Sequence, residues 1–178
     1  MSAPDIATVG FGLLTVRLVF GLTMAAHGAQ KLFGWFGGYG LRATSAGFET
    51  IGFRPGRFFA SAAGVVEFTG GLLTALGLFG PSGPSLMVSV MIVAAVIVHW
   101  KNGFFAPMGI ELNLLFGAAA LSIALSGAGT FSLDAWLGLD GLRSSSLTWV
   151  SLAAAVIGAG VVISLRRPVQ QSPATSQG

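Results

Sequence analysis

Few of the charges in this chain sit where a soluble protein would put them. Arg17, His27 and Lys31 lie in or at the end of one long apolar segment, Glu67 lies inside a second, and His99 and Glu111 stand at the ends of two more. A charge at the centre of a membrane helix costs about 3 kcal/mol and persists where it is paired or functional. The chain therefore reads as a small integral membrane protein with a polar site between its helices.

Composition agrees. Of 178 residues, 53% are hydrophobic and only 8% charged, against about 25% charged in soluble domains. Mean hydropathy is +0.82. Five apolar segments can be drawn, at about 6–33, 58–79, 84–100, 110–126 and 147–165. Each approaches the roughly 20 residues that a spanning helix needs. Long continuous apolar runs exclude a spanning barrel, whose strands alternate. The expected fold is all-α, an integral membrane helical bundle in one transmembrane domain over residues 1–167. The polar tail 168–178 should be a disordered cytoplasmic segment. No cleavable signal peptide is expected, because nothing basic precedes the first apolar run and Arg17 interrupts it.

Absence of cysteine rules out thiol–disulfide chemistry and thiolate-held clusters within the chain. The net charge of +3 is no nucleic-acid footprint, since membrane topology accounts for it. With five spans, Lys31, Arg42, Arg54, Arg57, Lys101, Arg166 and Arg167 fall on one side. Arg143 falls on the other, with Asp5, Asp134 and Asp140. Basic residues collect on the cytoplasmic side, so the N-terminus should be outside and the C-terminus in the cytoplasm.

Helical geometry groups the polar residues. Lys31 lies about 21 Å below Arg17 along the first helix, about 40° away around its axis, and His27 about 80° away. Glu67 is flanked by Ala63, Gly64, Gly70 and Gly71, small residues that let another helix approach closely. It should face the first helix, where Arg17 and His27 are both open as partners and Lys31 is within the same arc. His99, Glu111 and Asn113 converge from the next two helices on the same end. The candidate polar pocket is thus Arg17, His27, Lys31, Glu67, His99, Glu111 and Asn113. Each also has a plainer role: a structural Arg17–Glu67 pair, a snorkelling Lys31, His99 beside Trp100 as an interfacial anchor, Glu111 at a helix N-terminus. No metal site is expected. Two histidines on separate helices would suit b-type haem, but no further pattern supports it.

The connecting segments carry less. Leu41, Ser45, Phe48 and Ile51 recur at helical spacing, which fits a short amphipathic helix on the membrane. The five glycines at 37, 38, 40, 47 and 52 fit a loop equally well. Ser132 could cap a short helix in SLDAWLG.

Four pieces of sequence together resemble the DoxX family of small prokaryotic membrane proteins. They are RLVFGLTMAAHGAQKLFGWFGGYG around Arg17, His27 and Lys31; EFTGGLLTALGL from Glu67; the HW pair at His99 followed by ELNLL; and GAGTFSLD from Gly127 to Asp134. They span about residues 12 to 140. The resemblance implies a four-helix core, with the C-terminal span here as a fifth, in a prokaryotic plasma membrane. It also implies a redox system: an accessory or anchoring subunit of an oxidoreductase complex, with soluble or membrane oxidoreductase subunits as partners. A quinone is the cofactor this suggests, with His27 or Glu67 exchanging its proton and Arg17 biasing the charged state. A small-solute or ion transporter, and a scaffold docking soluble enzymes through the 34–57 loop, are the other classes compatible with the residues.

Overall fold

The computed structural model describes residues 5–105 and 107–167; the tail expected to be disordered lies outside them. Helix α1 (Ile6–Phe33) starts where Asp5 accepts a hydrogen bond from the Ala7 amide and ends at Gly34 in the left-handed conformation. A short helix α2 (Gly40–Thr50) follows despite its two glycines. Helix α3 (Gly56–Leu76) ends at Gly77, whose φ of 63° is left-handed. Helix α4 (Ser82–Ala94) opens after Pro81. Its last turn widens into a π turn, Ala95–His99, and then tightens over Trp100–Asn102. Helix α5 (Glu111–Ser126), the single turn α6 (Leu133–Trp136), which Ser132 caps, and α7 (Ser145–Ser164) complete the chain.

Four helices among the described residues are long and apolar enough to cross a membrane: Ile6–Phe33, Gly56–Leu76, Ser82–Asn102 and Ser145–Ser164. This corrects the expected four-helix core plus a fifth span. The segment at 110–126 forms a helix of 16 residues, about 24 Å against a hydrocarbon core of about 30 Å. The C-terminal helix, expected as an addition, is one of the four. Helix α5 is short because both of its flanks turn inward. At its start the Glu111 amide bonds the Phe104 carbonyl at 2.8 Å. Beyond its end the 127–131 loop folds down beside α1 to reach Arg17.

Helices α1 and α3 meet almost backbone to backbone. A Cβ added at Gly28 would lie 2.4 Å from the Phe68 nitrogen, and one at Gly71 2.4 Å from the Ala25 nitrogen. Gly21 is as tightly placed, an added Cβ lying 2.5 Å from the Ala75 nitrogen, and Gly64 makes room for the Leu32 side chain. Without hydrophobic sorting in lipid, such close approach supplies the packing energy between helices. Helix α4 packs on α3 through Gly70 and Gly83, and α5 and α7 pack on α4. The core joins Phe20 and Met24 of α1, Met87 and Met91 of α4, and Ala120 and Ile123 of α5. Residues such as Leu18, Val19, Leu22, Val65, Val156 and Ile157 point outward, as they should in a helix bundle solvated by lipid.

The bundle has two distinct ends. At one, α7 is tied to the segment between α2 and α3: Arg166 Nε donates to the Ile51 carbonyl at 2.8 Å and the Arg167 amide to the Gly52 carbonyl at 2.9 Å. At the other, the loops after α3 and α5 meet.

Candidate functional site

Arg17 does not meet Glu67. Its side chain is 1% exposed and its guanidinium fastens the far end of the bundle. It donates to the Ala128 carbonyl, to the Phe131 carbonyl at 2.8 Å and to the Ala75 carbonyl at 3.5 Å. Asp134, equally buried, accepts from the Phe79 and Gly80 amides at 2.9 and 2.6 Å, and supplies the neighbouring negative charge. Gly77 leaves room for this arrangement, since a Cβ there would sit 2.7 Å from an Arg17 nitrogen. Every strong contact of Arg17 is to backbone, which makes it a clasp on the 127–131 loop.

Glu67 pairs with Lys31. The Lys31 ammonium bonds Glu67 Oε2, and the two side chains are 27% and 7% exposed. Lys31 therefore does more than snorkel to the headgroups. The pair borders a cavity of about 340 Å³ at the Lys31 end, walled by Phe53, Phe59, Val66, Val90, Val93 and Ile97 among others. Helices α3 and α4 provide most of the wall, Phe48, Ile51 and Phe53 come from α2 and the turn after it, and Val162 comes from α7. The polar side chains in it are Lys31, Glu67, Ser89 and His99. Glu67 is buried and Lys31 partly so, and in an otherwise apolar cavity their charges are screened less than at an open surface.

His99 reaches the cavity from the π turn. An inserted residue rotates all that follows by about 100°, and such π turns recur at functional sites. The imidazole Nδ1 bonds the Met108 carbonyl at 2.8 Å, an oxygen that also accepts from Asn102 Nδ2 at 3.1 Å.

The other expected pocket residues lie elsewhere. His27 is exposed on the outer surface of α1 and lines neither this cavity nor the one at the opposite end. Glu111 is half-buried at the start of α5, and Asn113 faces α4, its amide 3.9 Å from the Met91 sulfur and its Oδ1 buried without a hydrogen-bond partner among the described residues. Neither lines the cavity. Among the described residues no three His, Asp or Glu side chains are grouped to hold a metal ion. Sequence reading missed Ser89, Phe53, Val162 and the π turn. Ser89 could have been found from its helical phase, four residues before Val93 on the cavity face of α4; the apolar AVIVH run that forms the π turn carries no signal. A second cavity of about 350 Å³ lies at the Arg17 end, lined by Ser132, Asp134, Arg143, Thr148 and Trp149 among others.

A bundle of helices long and apolar enough to span a membrane, with an ion pair bordering an apolar cavity between them, defines a multi-pass membrane protein. The chain belongs to the DoxX family, whose model matches residues 12–100, half of its length. This is a family of membrane proteins associated in general with redox functions. The match takes in Arg17, His27, Lys31, Glu67 and His99, and stops before α5, Asp134 and α7. No curated protein and no solved structure matches the chain.

Proposed function

We propose that the chain is the membrane subunit of an oxidoreductase system and that the Lys31–Glu67 cavity receives a quinone-like ring from the bilayer. The observation that supports this most is the partly buried ion pair bordering an otherwise apolar cavity of about 340 Å³, within the roughly 300–1,000 Å³ of small-molecule sites. An apolar wall suits an aromatic ring with an isoprenoid tail. The Lys31 ammonium donates to a ring oxygen. Glu67 holds the charge of Lys31 and exchanges a proton with that oxygen, a carboxylate being a competent acid–base group when positioned within hydrogen-bond reach. Reduction of a quinone to a quinol takes two electrons and two protons; the electrons come from or go to a partner oxidoreductase subunit, and the protons pass through the cavity's side chains. His27 and Arg17, given chemical roles from sequence, have none in this scheme, because one faces outward and the other is bound to carbonyls.

We further infer that the chain forms one membrane domain through residue 167 in a prokaryotic plasma membrane. Its Lys31 end faces the cytoplasm, since that end carries Arg42, Arg54, Arg57, Lys101, Arg166 and Arg167, as the positive-inside rule requires. Residue 5 then lies outside and residue 167 inside, with the 16-residue α5 and the 127–131 loop returning the chain from the Lys31 end to the Arg17 end between the third and fourth long helices.

The test is binding of decylubiquinone to the purified chain in nanodiscs, read by quenching of tryptophan fluorescence. Saturable binding that Glu67→Gln and Lys31→Met each weaken supports the proposal. Binding that is absent, or indifferent to both substitutions, refutes it.

A further inference from the structure

The hydrogen bond at His99 fixes more than the ring's position. A carbonyl oxygen only accepts, so the proton between Nδ1 and Met108 belongs to the imidazole. In its neutral form His99 is therefore the Nδ1–H tautomer, and Nε2 carries a free lone pair. Met108 is not part of the cavity wall, whereas His99 is. Nε2 is the ring's one other polar atom and so the one that can serve an occupant.

Lys31 and Ser89 do not distinguish the redox forms of a quinone. Lys31 has donors to offer, and both a carbonyl oxygen and a hydroxyl oxygen accept them. Ser89 donates or accepts as required. Ionised Glu67 only accepts, and Lys31 holds its Oε2. A neutral His99 likewise offers acceptance alone at Nε2, and only the reduced, hydroxyl-bearing ring has a proton to give it. Resting on the quinone reading above, we propose that His99 is a specificity-determining residue of the cavity alongside Glu67: its Nε2 accepts a hydrogen bond from a hydroxyl of the quinol form and adds to the site's preference for quinol over quinone. The charged side chains that share the cavity wall with His99 are Lys31 and Glu67, and Lys101 lies two residues along the chain.

Two measurements test this. The chain has two histidines, so ¹⁵N side-chain spectra in nanodiscs are assignable with His27→Gln, a substitution outside the cavity. Neutral His99 should show a protonated Nδ1 in the unmodified chain; a protonated Nε2 overturns the proposal without any variant at His99. The second measurement compares decylubiquinol with decylubiquinone at a pH where the same spectra show His99 neutral. One added hydrogen bond should contribute roughly five- to tenfold to tighter quinol binding. His99→Phe should reduce the quinol preference by about that factor while quinone binding persists, and His99→Gln, whose amide oxygen accepts, should restore part of it. Equal binding of the two forms, or a preference unchanged by His99→Phe, overturns the assignment and leaves the quinone site standing. If neither analogue binds the unmodified chain, the quinone reading itself falls, and this inference with it.

Discussion

Substituting Gly28 by alanine tests whether α1 and α3 are held by backbone contact. Ala is the better helix former by about 1 kcal/mol, so a helix surface with free space should gain. At Gly28 the new methyl would lie 2.4 Å from the Phe68 nitrogen and 2.6 Å from the Gly64 oxygen, against ordinary contacts of about 3.5 Å. Both are backbone atoms and cannot swing aside, so the helices must part by about 1 Å. Overpacking of this kind costs about 1–3 kcal/mol, and its upper end applies where main chain meets main chain. Less the propensity gain, the expected loss is about 2 kcal/mol. At roughly 2–4 °C per kcal/mol for a chain of this size, apparent Tm should fall by about 4–8 °C. Gly12, on the same helix with nothing within 4 Å of its added Cβ, is the control: Gly12→Ala should leave Tm unchanged or raise it by up to about 4 °C. Thermal unfolding of the purified variants in one detergent, followed by loss of the monodisperse peak, reads both. A Gly28→Ala protein as stable as Gly12→Ala would refute the packing argument.

The ion pair should behave asymmetrically: Lys31→Met, which strands the more deeply buried Glu67, should destabilise by about 3 kcal/mol and more than Glu67→Gln, with the double variant recovering part of the loss in the same thermal assay; strictly additive losses would count against a coupled pair. Arg17→Lys should cost about 2 kcal/mol, because one ammonium cannot reproduce the forked contacts to two loop carbonyls, and should speed hydrogen exchange at residues 128–131 selectively. The chain lacks cysteine, so single cysteines report sidedness cleanly: one at Lys101 should react with a membrane-impermeant maleimide from the cytoplasmic side only, and one at Ser145 from the outside only; the reverse pattern would invert the orientation proposed above.

Much of the helical layout was legible because helix ends carry their own chemistry. Asp5 and Gly34 bound α1 at the expected residues, and Gly77 stops α3 two residues before its apolar run ends. The small residues around Glu67 correctly put it at a helix contact. The sequence leaves its partner open among Arg17, His27 and Lys31, and side-chain direction is what separates them. Side chains lean toward the N-terminus of their own helix, so on α1 Arg17 leans away from Glu67 and Lys31 leans up toward it. His27 shared the polar arc on paper, yet it directly precedes Gly28 on the α1–α3 contact line, and a one-residue step turns it about 100° off that line. The 110–126 segment agrees with α5 to within a residue; counting it as a span was the error, because hydropathy counts apolar residues and cannot see that a loop is drawn inward by an arginine more than a hundred positions earlier in the chain.

The ties from Arg166 and Arg167 to Ile51 and Gly52 give the last helix a part in the site that the family match does not cover. Val162 is one panel of the cavity's wall, and the knots beneath it hold that panel against the turn that carries Phe53. A chain built on the same 12–100 segment but ending before α7 would expose its Lys31–Glu67 chamber sideways to the bilayer. There the missing panel would fall to acyl chains or to another protein's helix. The site would then be shared property of an assembly, whereas here a single polypeptide furnishes its own closing wall.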